Sequence, residues 1–237
     1  ARGRRKGPKG KGGPACIELE RAHRHGHRHA APGPAFGKSG ASNRMKPIMT
    51  REILSPPAFP ALSLEEAREH LRLEDGEEDS HVMRLAAAAT AHVEMATGRV
   101  LVAQRWRIRL DRMPCDGIVE LPLAPLLSIE AVRCRHADGA KRELDLAVLG
   151  VDRHGDPPTL CFGRDIAREC ADCAIEIHAR FGHGESGAEV PDLLRRAVLM
   201  LIAHWHGHAG IGAGEAGMPV VPRGLDRLLS PFRMPRL

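Results

Sequence analysis

Aromatic side chains are scarce in this sequence: two Trp, five Phe and no Tyr among 237 residues. At 43% hydrophobic content a core can still form, but it must be built from aliphatic side chains. There is no run of about 18 apolar residues, so no stretch suits a membrane-spanning helix. The basic N-terminus lacks the apolar segment of a secretory signal. No G-x-x-x-x-G-K-[ST], H-E-x-x-H or G-x-S-x-G occurs, which removes any positive reason to propose an enzyme. Six cysteines spread over the chain read as reduced cytosolic thiols rather than a disulfide framework. Lysine is rare, 6 against 29 Arg, and Ala and Gly are abundant. That bias fits GC-rich coding and is no sign of Arg selected for phosphate chemistry.

The net charge of +5 is unevenly placed. Residues 1–44 hold eleven Lys and Arg against Glu18 and Glu20, a net +9, while the remainder holds 24 basic and 28 acidic residues, a net −4. The high isoelectric point therefore belongs to the first 44 residues, and a basic-protein argument for DNA binding does not extend to the rest. RGRRKGPKGKGGP offers too little apolar surface to offset its ordering entropy. His23, His25, His27 and His29 alternate in a tract that can bind a divalent metal weakly, or be simply solvated. With Met45 and Met49 just ahead of the patterned region, residues 1–44 are expected to lie upstream of the native start or to be foreign to it. A phosphate-binding arm is the alternative.

The most informative stretch is Leu62–Pro114. Ser63 and Glu66 have capping-box spacing, and Leu64, Ala67 and Leu71 share a helical face, which predicts a helix over 63–73. A charged turn with Gly76 follows. Ser80 is placed to cap a second helix over 80–97, with Val82, Leu85, Ala86, Ala89, Val93 and Ala96 at spacings of three and four. Gly98 sits where a left-handed residue would end it. Val102 to Leu110 then alternates: Val102, Gln104, Trp106, Ile108 and Leu110 on one side, Arg105, Arg107 and Arg109 on the other. That is a strand with one wet face.

These residues resemble the head–tail connector, or adaptor, family of long-tailed bacteriophages, prophages and gene transfer agents. The shared features are the short helix with its acidic turn, the helix ending in Thr97-Gly98-Arg99, the strand opening Gln104-Arg105-Trp106, and the Leu110–Pro114 that follows. Further along, PLAPLLSIEAVRCRHADG resembles the family's P-L-x-S-V-x-x-V strand and D-G hairpin. VPDLLRRAVLMLIAHWH resembles its V-P-x-x-L-R-x-A helix closing in V-A-H-W, and RGLDRLLSPFR its terminal G-V-x-x-L-L-x-P-Y-R. The resemblance spans about residues 61–233. It departs at Phe232, where Tyr is common, and in the segment Cys161 to Cys173.

Between these landmarks, residues 45–61 read as a Pro-rich lead-in: Pro56, Pro57 and Pro60 forbid a regular helix, and Phe59 and Leu62 are expected to pin it to the domain. Strands are expected at Ile118–Leu121, from Leu127, Ile129, Ala131 and Val132 on to a hairpin turn at Asp138-Gly139, and at Leu144–Val151, Thr159–Phe162 and Cys173–Phe181. A third main helix is expected over 191–206, with Pro191 in its first turn, a stripe of Leu194, Ala197, Val198, Leu201, Ile202 and Trp205, and Gly207 at its end.

Three clusters invite metal chemistry. Cys170-Ala171-Asp172-Cys173 is a single C-x-x-C, which Cys161 and His178 could complete as a zinc site; incidental or core-facing thiols are the plainer reading. His204, His206 and His208 alternate, so they do not share one helical face and fit packing or capping better than ligation. Glu74, Asp75, Glu77, Glu78 and Asp79 do not have EF-hand spacing and fit a solvated helix start.

The resemblance implies an α+β fold: a small helical bundle, three main helices plus a short C-terminal one, with a β-rich region (102–181) inserted between the second and third helices. It implies an adaptor domain over 62–209, then a loop and C-terminal docking tail over 210–237. The implied role is structural. Copies form a ring, of twelvefold symmetry in this family, beneath the portal protein. The ring extends the channel through which double-stranded DNA passes without sequence-specific contact, and it meets a stopper or tail-terminator protein. No cofactor and no membrane is implied. The place is the virion head–tail junction, after assembly in the bacterial cytoplasm. Expected core residues are Trp106, Leu110, Leu194, Val198, Leu201 and Trp205. Expected portal-docking residues are Leu225, Leu228, Leu229, Phe232 and Arg233, with Arg223, Arg227 and Arg236 available to acidic partners. The same leucines could instead cap the bundle of their own subunit. The rival role is DNA binding through the basic residues 1–44.

Overall fold

A computed structural model describes residues 47–74, 76, 78–136, 139–208 and 221–235, all within a unit spanning Lys46–Leu237. It opens with an unexpected strand, β1 (Met49–Ser55), inside the supposed lead-in. β1 is a mostly exposed edge strand, so no apolar alternation marks it in the sequence. It stops at Ser55, before Pro56-Pro57, so those prolines end regular structure without forbidding it upstream. Leu62 is buried as expected, but Phe59 is 60% exposed and pins nothing.

Helix α1 (Leu64–Leu71) has the capping box its sequence promised. Glu66 N donates to Ser63 Oγ (3.1 Å) and Ser63 N to Glu66 Oε2 (2.9 Å). Arg72, in the left-handed region, ends it. Helix α2 (Asp79–Thr97) starts one residue earlier than expected: Ser80 lies inside its first turn, and Glu78 holds the N-cap position without a side-chain bond. Asp79 instead accepts from Arg68 Nε (2.7 Å), tying α1 to α2. Gly98, at φ 73°, closes α2 as expected.

The β region comprises β2 (Gln104–Leu110), β3 (Ile118–Glu120), β4 (Leu126–Arg135), β5 (Lys141–Glu143), β6 (Gly150–Asp152), β7 (Thr159–Cys161) and β8 (Ala174–Phe181). A short helix, α3 (Arg164–Glu169), precedes β8 and was not legible in the sequence. The strands form two antiparallel sheets, ordered β1-β2-β8-β4-β5 and β3-β7-β6. Leu144–Val151 is not the strand expected. Asp145 accepts from Ala147 N (2.9 Å) and bends the chain into a 3-10 turn at Leu146–Val148. The Asp138 half of the expected hairpin turn lies outside the described residues; Gly139, at φ 87°, lies in the β4–β5 connection.

Helix α4 (Asp192–His208) follows Pro191, whose carbonyl accepts from Leu194 N and Arg195 N. It runs through Gly207 instead of ending there; a helical Gly costs only about 1 kcal/mol relative to Ala. Helix α5 (Leu225–Leu229) and a 3-10 turn (Ser230–Phe232) complete the chain. The architecture is thus α+β, with α2 and α4 packed together and α1 and α5 each resting on both of them. One expectation needs amending: β1 precedes α1 yet belongs to the larger sheet, so that sheet is not contained in a single insertion.

Two apolar clusters hold this together. One lies on the inner faces of both sheets and includes Ile108, Leu110, Val119, Val132, Leu160, Ile177 and Phe181. The other joins Ala89 and Val93 of α2 to Leu194, Val198, Leu201 and Ile202 of α4 and to α5. Of the expected core residues, Leu110, Leu194, Val198 and Leu201 are buried. Trp106 and Trp205 are only half-buried. Trp106 lies opposite Ile53 of the edge strand, itself 49% exposed, so one side of the indole lacks cover. Trp205 sits in the last turn of α4, edge-on to His92 of α2 (6.0 Å between centroids).

Leu201 has no exposed surface, so Leu201→Asp would bury a carboxylate with no partner, a change far costlier than a lost methyl group. The variant is expected to show no cooperative thermal unfolding by circular dichroism. Soluble protein with a sharp transition would contradict this packing.

Candidate functional site

The C-terminal segment reads differently once its surroundings are known. Leu225 and Leu229 are buried in the helical cluster of their own chain, and Leu228 and Phe232 are half-buried against it. Apart from Val221, the side chains that remain exposed on the segment are polar or Pro: Arg223, Asp226, Arg227, Ser230, Pro231, Arg233 and Pro235. Arg233 Nη2 donates to Asp226 Oδ1 (2.6 Å).

The segment is anchored by the turn that ends α2. Thr97 accepts from Met234 N at its carbonyl (2.9 Å), while its hydroxyl donates to Val93 O (2.7 Å) and accepts from Arg99 N (3.1 Å). Arg99 Nε donates to Phe232 O (2.8 Å), and its guanidinium also pairs with Asp156. Gly98 has the positive φ of a helix terminator, and a Cβ there would meet Met234 Sδ at 3.0 Å. Just upstream, Glu94 Oε1 accepts from Leu101 N (2.8 Å) and Gln104 Nε2 (3.1 Å), bracing α2 against the start of β2. Burial pushes the Glu94 carboxyl above the usual carboxylate range, against the pull of those two donors. Burial, with the Arg99 guanidinium beside it, holds the nearby His183 below its ordinary value. Arg99 carries no sequence signal beyond the Thr97-Gly98-Arg99 motif; its role as the clamp on a segment 133 positions away depends on the fold.

No family model matches the sequence. No curated protein matches it either. Solved structures do. A chain in the neck of an empty gene transfer agent particle, computed with C6 symmetry, aligns with TM-score 0.64 and 23% identity over 79% of this chain and 97% of its own. One in the virion of a native gene transfer agent particle aligns with TM-score 0.65 and 24% identity, covering 79% and 96%. One in the neck of a native particle, computed with C12 symmetry, gives 0.61 and 23%, covering 78% and 97%. The fold is that of a gene transfer agent neck chain.

Within this fold, the suspected metal clusters resolve into other contacts. Among the described residues no group of three or more His, Cys, Asp or Glu is arranged to hold a metal ion. Cys170 and Cys173 do not meet His178, whose Nε2 lies 2.9 Å from Glu176 Oε1. They face residues of the β4 end instead: Cys170 Sγ lies 2.7 Å from Cys134 Sγ, and Cys173 Sγ 3.1 Å from His136 Nδ1. The C-x-H of Cys134-Arg135-His136 was the overlooked signal. His206 Nε2 reaches Glu78 Oε2 (2.7 Å), and His208 Nδ1 reaches His204 O (2.6 Å), so these histidines cap and pack. Asp75 and Glu77 of the acidic turn, and the histidines and cations of residues 1–44, lie outside the described residues. An open groove of about 710 Å³ runs beside the C-terminal segment, lined by Met49, Met95, Ile118 and Met234 among others.

Two outcomes are expected. Arg99→Ala removes the clamp on Phe232 O, so limited proteolysis should cleave within 221–235 before the rest of the unit; unchanged cleavage order would refute the anchor. Glu94 has a folded-state pKa above its unfolded one, so the folded form gains stability as pH falls and carries the cost of a buried charge at neutral pH. Glu94→Gln keeps an acceptor oxygen and should raise the melting midpoint at neutral pH, with the gain shrinking toward acid. A gain independent of pH would assign it to something other than this carboxyl.

Proposed function

We propose that the chain is a structural head–tail adaptor: a ring-forming protein at the head–tail junction of a phage-like particle, seated beneath the portal. The observation that carries this is a fold shared over 96–97% of the length of chains from gene transfer agent necks and virions. The C12 symmetry of one such neck supports a ring of twelve copies. In this reading the ring extends the DNA channel, contacts the duplex without reading its sequence, and offers its far side to a stopper or tail-terminator protein. The protein's task is mechanical rather than enzymatic. No observation favours the rival DNA-binding role for residues 1–44.

Portal docking remains the proposed role of the C-terminal segment, through a different chemistry from the one its leucines first suggest. Leu225 and Leu229 anchor the segment in its own subunit, and Leu228 and Phe232 lean on the same cluster. Arg223, Arg227 and Arg233 then stand in fixed positions outside, suited to acidic groups on the portal. Exposed ion pairs of this kind weaken with salt.

The test is electron microscopy and binding with the cognate portal. The purified protein mixed with portal should give twelvefold rings on the portal. Portals left bare at saturating protein would sink the adaptor reading. The double variant Arg223→Glu with Arg227→Glu should fold normally yet bind portal at least tenfold more weakly, and wild-type binding should fall as salt rises. Undiminished binding by that variant would remove the docking role of the segment while leaving the ring intact.

A further inference from the structure

Cys134 is the penultimate residue of β4, and Cys170 caps the C-terminus of α3. Both side chains are fully buried, 36 positions apart in sequence, with sulfurs 2.7 Å apart. Non-bonded sulfurs do not ordinarily approach so closely, yet the gap exceeds a bond of about 2.05 Å. Cys173, 1% exposed, stands three residues beyond Cys170 and touches the half-buried His136. We propose that Cys134 and Cys170 form an oxidisable pair that closes to a disulfide, stapling β4 to the end of α3.

Topology gives the bond its effect. Between the two cysteines the chain first forms β5, the edge strand of the larger sheet, then leaves that sheet for the 3-10 turn, β6, β7 and α3 before returning to it at β8. The smaller sheet takes two of its three strands from this excursion. Closing the loop at its base removes chain entropy from the unfolded state and keeps the smaller sheet folded against its neighbour. The neighbouring C-x-x-C thiol is not part of the bond, because Cys173 is engaged with His136 on the other side of the cluster.

Chemistry assigns the order of events. Burial, and behind it the adjacent Cys170, pushes the Cys134 thiol up to about 12, so it stays protonated. Cys170, at the end of α3, is the sulfur that an oxidant meets first. Its flanking residues Ala171 and Asp172 are exposed, and α3 is only six residues long, so a local opening brings it to solvent. Hydrogen peroxide, small enough to enter, converts the Cys170 thiol to a sulfenic acid and leaves as one water. The Cys134 sulfur then attacks that sulfur. The hydroxyl departs with the Cys134 proton as a second water, and the S–S bond forms. Two thiols and one peroxide give one disulfide and two waters.

The experiment uses the full chain, purified under reductant and then exposed to a slight excess of hydrogen peroxide. Alkylation under denaturing conditions should modify six cysteines before oxidation and four after it, with a Cys134–Cys170 cross-linked peptide in the digest. The melting midpoint should rise by roughly 5–10 °C and fall back on reduction. Cys173→Ser should keep the cross-link; Cys134→Ser should abolish it and the midpoint shift together. The proposal is overturned if all six thiols remain alkylatable, or if the wild-type cross-link maps to Cys170–Cys173. It is equally overturned if the cross-link disappears in Cys173→Ser, or if the purified protein carries one zinc per chain that shields these thiols. The wild-type peptide map decides the matter even should Cys134→Ser fail to fold.

Discussion

The corner at Thr97-Gly98-Arg99 is the constraint on which the rest of the molecule hangs. A helix must terminate there, and Gly98 supplies the left-handed residue that lets it do so without strain. The same three residues then bond three separate parts of the chain. Gly98 O accepts from Ala124 N (3.2 Å) and Ala124 O from Val100 N (2.8 Å), which fixes the entry to β4 beside the exit from α2. Arg99 reaches Asp156, in the connection between β6 and β7, and also Phe232 O near the C-terminus. Thr97 O holds Met234 N. Helical layer, both sheets and C-terminal segment thus share one point of attachment. Loss of the corner would free the C-terminal segment and the entry to β4, leaving the bonds of Glu94 to Leu101 and Gln104 to hold α2 against β2.

The outer face of the larger sheet follows another logic. Arg107 and Glu52 are cross-strand partners at 2.8 Å, Arg109 and Glu176 at 3.0 Å, and Arg133 and Glu143 at 2.9 Å. Arg105 reaches Glu130 at 2.7 Å. Each exposed pair contributes little net stability, on the order of 0–1 kcal/mol. Their importance is to register. A one-residue slip would put these charges on the inner face beside Ile108, Val132 and Ile177, and every pair would be lost at once. The charged ladder and the apolar face therefore specify the same alignment from opposite sides. The ladder also helps β1, whose own side chains offer the core almost nothing.

What could be read from the sequence was whatever repeats within a few residues. The Ser63–Glu66 capping box, the α2 face, the alternation of β2 and β8 and the stripe of α4 are local patterns, and the fold contains them. What could not be read depends on partners distant in sequence. β1 is a strand because β2 offers it an edge, not because its residues alternate. Trp106 is half-exposed because that edge strand leaves it uncovered, a fact about Ile53 and not about Trp106. The sulfur cluster is hidden in the sequence for the same reason: spacing sets Cys170 with Cys161 and His178, whereas the antiparallel pairing of β4 with β8 brings Cys134 and His136 to it.

If the C-terminal segment docks as proposed, burial and recognition divide one short stretch between them. A free five-residue helix would not persist in water, and a partner that bound it would have to bear the cost of ordering it. Here Leu225 and Leu229 meet that cost within the subunit, and Arg99 and Thr97 hold the far end. The arginines between these anchors have lost most of their backbone freedom before any partner arrives. Association can then be governed by charge placement, which sets register and encounter rate more than raw affinity. In a ring, the same segment would be presented at regular intervals around an axis. Contacts individually weak enough to be salt-sensitive would act together, because each engaged subunit raises the effective concentration of the next. A junction built this way needs no single strong contact, only many subunits that hold the same short segment in the same place.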